Sequence, residues 1–153
     1  MLNLSRAESI RETKCLRVAL AAGRKKMKIL LLSECYPTQD RKQYGIFIKQ
    51  QFDELRLFGN CVDVVVPFAG NQNVDIFSES CDDSTIYKFG YKTTRYGLFP
   101  IIAAKAAYNS LFRFIKNGNY DLISVHIVGD AVLKMAVKIG NSLNIPVAVH
   151  YHG

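Results

Sequence analysis

MKILLLSECYPTQDRKQYGIFIKQQFDELRLFGNCVDVVVP, residues 27 to 67, carries most of the decision about the fold. Ile29-Leu30-Leu31-Leu32 is a continuous apolar run, the pattern of a parallel strand buried on both faces. A loop containing Pro37, Asp40 and Gly45 follows. Between residues 45 and 58, Ile48, Phe52 and Leu55 recur at helical spacing with Lys49, Gln50 and Glu54 among them, and Gly59-Asn60 supplies a helix stop. Residues 62 to 66 form a second β-branched run, which Pro67 is expected to end. The stretch therefore reads as strand, loop, helix, strand.

The remainder repeats this alternation. Residues 69 to 83 are polar, with Asp75, Glu79, Asp82 and Asp83, and read as a solvated loop. A third, more amphipathic strand is predicted near residues 86 to 91. Pro100 suits the first turn of a long helix in which Ala104, Tyr108, Leu111, Phe112 and Ile115 share a face, closed by Asn117-Gly118. Asp121 opens a fourth strand at residues 122 to 127. Asp130 is placed to cap a helix that buries Val132, Met135, Ala136, Ile139 and Leu143. Pro146 then leads into Val147-Ala148-Val149 as a last strand. Strands alternating with helices predict an α/β, Rossmann-like three-layer sandwich built on a parallel sheet. Its ligand crevice belongs at the carboxyl ends of the strands, where the strand order reverses.

The chain has 153 residues, the length of one domain, and is 49% apolar and 22% charged, an ordinary globular composition. Its net charge of +7 raises nucleic acid as a partner, so the location of that charge matters. Residues 1 to 26 carry Arg6, Arg11, Lys14, Arg17, Arg24, Lys25 and Lys26 against Glu8 and Glu12, which leaves the rest close to neutral. This basic leader is separated here from a domain at residues 27 to 153. It reads as a flexible tail, with a membrane-surface helix as the alternative. Its apolar run at residues 18 to 22 is far too short to span a bilayer. Cys15, Cys35, Cys61 and Cys81 make no CxxC pair, which argues against a zinc ribbon or a thioredoxin-like motif. With no secretory signal in the sequence, they read as reduced cytoplasmic thiols.

Candidate chemistry lies at the expected strand ends. The loop at residues 33 to 44 is long for a connection at this topological position, which marks it as a binding loop. Gly45 at the helix entrance leaves backbone N–H groups accessible to an anion such as a diphosphate; a glycine needed only for the turn is the competing reading. Tyr44 beside it, with Arg41 and Lys42 in the loop, completes the substrate-side candidates; loop cations that are merely solvated are the alternative. His126, at the end of the fourth strand, is placed to orient a reacting hydroxyl, against a structural hydrogen-bonded role. His150 and His152 are two apart and share a face, and with His126 they raise zinc. No Asp, Glu or Cys joins them at a readable spacing, so no metal is assigned. A GxGxxG fingerprint is absent, against an ordinary dinucleotide fold.

On the segment quoted above, and on YDLISVHIVGDAVLKMAVKIGNSLNIPVAVHYHG at residues 120 to 153, the chain resembles the amino-terminal domain of family-4 retaining glycosyltransferases of GT-B architecture. The resemblance runs through the YP-containing loop, the GIF helix entrance and the paired-hydrophobic strand ending in His126. It ends at the terminal His152-Gly153. It implies sugar transfer from a nucleotide-sugar donor, a UDP- or GDP-sugar, to a glycan or lipid-linked acceptor, without an obligatory metal. It places Gly45 near the donor diphosphate, His126 toward the reacting sugar as the catalytic candidate, and His152-Gly153 near an interdomain cleft. No cofactor is assigned to this chain itself. The family's second Rossmann domain, with its Glu-x7-Glu motif, has no counterpart in these residues. The expectation is therefore an acceptor-side half that needs a carboxy-terminal donor domain or subunit, with peripheral membrane contact and no nucleic acid. Another α/β nucleotide or cofactor binder, flavodoxin-like, is the alternative, as is a binding module that uses the basic leader on nucleic acid or anionic lipid.

Overall fold

Along β1 (Lys28–Ser33) successive side chains enter opposite cores, so its apolar run has no polar interruption. The computed structural model describes residues 26–37, 41–70, 74–81, 84–92 and 101–150. The remaining elements among the described residues are α1 (Ile46–Leu57), β2 (Cys61–Gly70), β3 (Val74–Cys81), β4 (Ser84–Lys92), α2 (Ile101–Gly118), β5 (Leu122–His126), α3 (Asp130–Leu143) and β6 (Val147–His150). They form one six-stranded sheet in the order β3-β4-β2-β1-β5-β6. Every neighbouring pair is parallel except β3 with β4. The order reverses between β1 and β5, the position expected to carry a crevice.

Ile29 and Leu31 of β1 meet Ile48 and Phe52 of α1, together with Val62, Val64 and Val66 of β2 and Ile86 of β4. Leu30 and Leu32 face the other way, into a larger core with Ala107, Leu111 and Ile115 of α2 and Val132, Ala136 and Ile139 of α3. The result is three layers, with α1 on one face of the sheet and α2 and α3 on the other. The expected α/β sandwich is therefore present. No helix among the described residues is long and apolar enough to cross a membrane.

Polar contacts pin the amino ends of the strands. The Lys28 N–H donates to Asp121 Oδ2 at 2.7 Å and ties the start of β5 to that of β1. Asp63 on β2 accepts from the Tyr120 hydroxyl at 2.8 Å and pairs with Lys28 Nζ at 3.6 Å. Burial and the neighbouring Asp63 both push the Tyr120 phenol well above its ordinary pKa.

Three local expectations change. Pro67 does not end β2, which runs on to Gly70. The register with β1 reaches Leu32↔Val65, after which β2 pairs with β4 alone, so a residue lacking an N–H has no ladder partner to lose on the β1 side. The acidic stretch read as a loop contains β3, whose polarity suits an edge strand exposed on one side. Asp130 is not the cap of α3. Gly129 holds that position in extended geometry with no side-chain cap, and Asp130 lies in the first turn, where its charge complements the helix dipole.

Candidate functional site

The chain leaves β1 through a tight turn built by Ser33, whose Oγ accepts from the Cys35 N–H at 3.2 Å and donates to the Cys35 carbonyl at 3.1 Å. The β1–α1 connection closes with a turn in which the Tyr44 N–H donates to the Arg41 carbonyl at 3.1 Å. Gly45 then enters α1 at φ 71°, its carbonyl accepting from Ile48 and Lys49. A Cβ at this position would lie 2.1 Å from the Cys35 carbonyl oxygen. Glycine is thus required by backbone packing alone, whatever binds nearby.

Between this connection and the β2 and β4 side of the sheet lies a cleft of about 570 Å³. It is lined by Glu34, Arg41 and Tyr44 from the connection, by the end of β2 with Phe68, and by Lys88 of β4 and Phe77 of β3. The Arg41 guanidinium lies 5.8 Å from the centre of the Tyr44 ring. The Cys35 thiol reaches the Tyr44 hydroxyl at 3.1 Å. This hydrogen bond first, and then the charge of Cys35, raises the Tyr44 pKa, while Arg41 opposes the shift. Phe68 and Phe77 remain 36% and 43% exposed, large apolar side chains turned toward the cleft.

Glu34 also reaches across the point of strand-order reversal. Its Oε1 accepts from the Gly129 N–H at 2.9 Å and from the Tyr91 hydroxyl at 3.2 Å, while its own N–H donates to Ile127 O. A carboxylate thus already sits at the amino end of α3. Burial, followed by the charge of Glu34 and the hydrogen bond to it, pushes the Tyr91 phenol up to about 12. Ile127 has φ 42°, a costly conformation for a β-branched residue.

His126 lies on the other flank of α1. It is 3% exposed, edge-on to Phe52 at 5.5 Å, and stacked on His150 at 4.1 Å. Its Nε2 is 3.0 Å from Ser124 Oγ, with the tautomer setting which group donates. A shallow groove there, about 280 Å³, runs between α1 and the β5–β6 side of the sheet. Among the described residues no group of three metal-ligating side chains exists.

Of the residues singled out in the sequence, Arg41 and Tyr44 therefore share one cleft. Gly45 is buried beneath Cys35, Lys42 is exposed and outside the cleft lining, and His126 belongs to the opposite groove. His152 and Gly153 lie outside the described residues, as does nearly all of the basic leader. Glu34, Phe68, Phe77 and Lys88 escaped the sequence reading. Phe77 reaches the cleft through a register shift in β3 between Val74 and Phe77, which breaks the two-residue period that would have revealed it.

No protein-family model matches the chain, and no curated protein does. Solved structures similar to it include the macrodomain of Mycobacterium tuberculosis DarG, at 13% identity and TM-score 0.41, covering 85% of this chain and 92% of that one. The macrodomain of Thermus aquaticus DarG is similar at 12% identity and TM-score 0.35, over 86% and 93%. At these scores neither neighbour carries an activity to this chain. The resemblance to family-4 glycosyltransferases is corrected here: these neighbours are macrodomains, an α/β fold different from a GT-B half. With it go the sugar-transfer and polysaccharide-biosynthesis readings. Two of the residues it rested on have local structural roles: Gly45 packs beneath the Cys35 carbonyl, and His126 is buried against Phe52.

Proposed function

We propose that this chain is an α/β ligand-binding domain that takes a nucleotide-class ligand, a planar ring joined to phosphate, in the cleft between the β1–α1 connection and the β2–β4 side of the sheet. The observation that carries this reading is the convergence of Arg41 and Lys88 with the rings of Tyr44, Phe68 and Phe77 around one space of about 570 Å³. That volume falls within the roughly 300–1,000 Å³ of small-molecule sites. Two cations lining one cleft favour phosphate, and exposed rings provide surfaces on which a base stacks. Glu34 offers a carboxylate to ligand hydroxyls while its bonds to Gly129 and Tyr91 hold it in place.

Isothermal titration of the full chain with nucleoside mono- and diphosphates, flavin mononucleotide and inorganic phosphate tests the proposal. The expected result is saturable binding of at least one nucleotide, weakened about 10- to 100-fold by Arg41→Ala or Lys88→Ala, the scale of one lost charge-assisted contact. Inorganic phosphate binding as tightly as every nucleotide would remove the ring from the proposal. No saturable binding by any of them would remove the proposal itself.

A further inference from the structure

On the sheet face opposite α1, the helix pair α2 and α3 presents a charge of one sign. Residues 101 to 120 contain Lys105, Arg113 and Lys116 and no acidic side chain. At 100° per residue these three positions fall within about 80° of one another, so they form one stripe. α3 adds Lys134 and Lys138, one turn apart, and its single acid, Asp130, lies in the first turn beside the helix's positive end. All five cations are exposed. Lys138 Nζ sits 5.2 Å from the centre of the Tyr108 ring, which joins the α3 stripe to that of α2.

Apolar surface lies among these charges. Val137 is 37% exposed, and with Leu133, Lys134 and Lys138 it lines a shallow groove of about 600 Å³. Four of the five cations are lysines, compact point charges suited to a diffuse anionic layer, whereas pointwise recognition of single phosphates favours arginine forks. Cations flanking an exposed valine and a half-buried leucine match the headgroup and upper acyl levels of a bilayer better than a nucleic-acid backbone. We infer that the α2–α3 face docks peripherally on an anionic lipid surface, with Lys105, Arg113, Lys116, Lys134 and Lys138 on the headgroups and Val137 against the acyl boundary. This inference stands apart from the ligand cleft.

Sedimentation of the full chain with phosphatidylcholine vesicles, with and without about one-third phosphatidylglycerol, tests it. The chain should partition onto the anionic vesicles only, and release in about 1 M salt, where the screening length is roughly 3 Å. The quadruple variant K105Q/R113Q/K134Q/K138Q, with an unchanged melting temperature, should lose at least about 30-fold in partitioning, since each cation near such a surface is worth roughly 5-fold. Equal partitioning by the variant would assign the contact to the basic leader and overturn the inference. Failure of the unmodified chain to bind anionic vesicles would overturn it too, as would tight binding of RNA that the same substitutions abolish while vesicles are ignored.

Discussion

At Gly45 two separate demands for glycine coincide: a φ of 71°, which side chains rarely adopt, and a Cβ direction filled by the Cys35 carbonyl. Gly59 shares only the first, since at φ 85° its nearest neighbour is the flexible end of Lys26 at 3.4 Å. Gly59→Ala should therefore cost about 1 kcal/mol, the conformational term alone, and Gly45→Ala about 3 kcal/mol or more, because the backbone must also move. Equal losses in urea unfolding would show that the Cys35 contact relaxes freely. The glycine itself was legible in the sequence. The reason for it was not, because Cys35 lies ten residues earlier and meets it only through the path of the loop. His126 teaches the same lesson: its strand-end position could be read from the chain, whereas its burial against Phe52 and His150 could not.

Among the elements, α1 is held to the sheet chiefly by Ile48 and Phe52, its two fully buried side chains. Its surface carries Asp53, which pairs with Lys49 at 2.7 Å and Arg56 at 3.6 Å but remains 41% exposed. Phe52→Ala should destabilise by about 3–5 kcal/mol through lost burial and a residual cavity. Asp53→Ala should stay within about 0.5–1 kcal/mol, because exposed ion pairs are weak. Thermal unfolding of the two variants checks this ordering, and a larger loss at Asp53 would reverse the account of what anchors the helix. The 3.6-residue period of α1 was plain from the sequence, as were those of α2 and α3. β3 was not, because an edge strand has one solvated side and its register shift disrupts the alternation by which a strand is recognised.

Across the whole molecule, two tyrosines tie distant elements together and set its response to alkali. Tyr91 joins β4 to Glu34 at the end of β1, and Tyr120 joins the end of α2 to Asp63 on β2. Both phenols are raised above 10, Tyr91 to about 12. Between those values the folded chain keeps protons that the unfolded chain has released, so stability falls as pH rises through this window, whereas below it these groups add no pH dependence and their contribution is fully present. Each tyrosine contributes a slope of about 1.4 kcal/mol per pH unit, and Tyr91 loses roughly 2–3 kcal/mol in all. Tyr91→Phe should flatten the pH dependence of urea unfolding above pH 10 by one proton's worth, and an unchanged slope would place Tyr91 in water. The order of strands and helices from residue 27 to residue 150, apart from β3, was determined by the sequence itself, because apolar periodicity and helix stops are properties of adjacent residues. Only the tertiary structure decided that Arg41 and Tyr44 share a cleft with Phe68, Phe77 and Lys88 while His126 lies across α1 from them. That assignment depends on which strands pair, in what register, and on which face α1 packs, and pairing is settled between segments far apart in the chain.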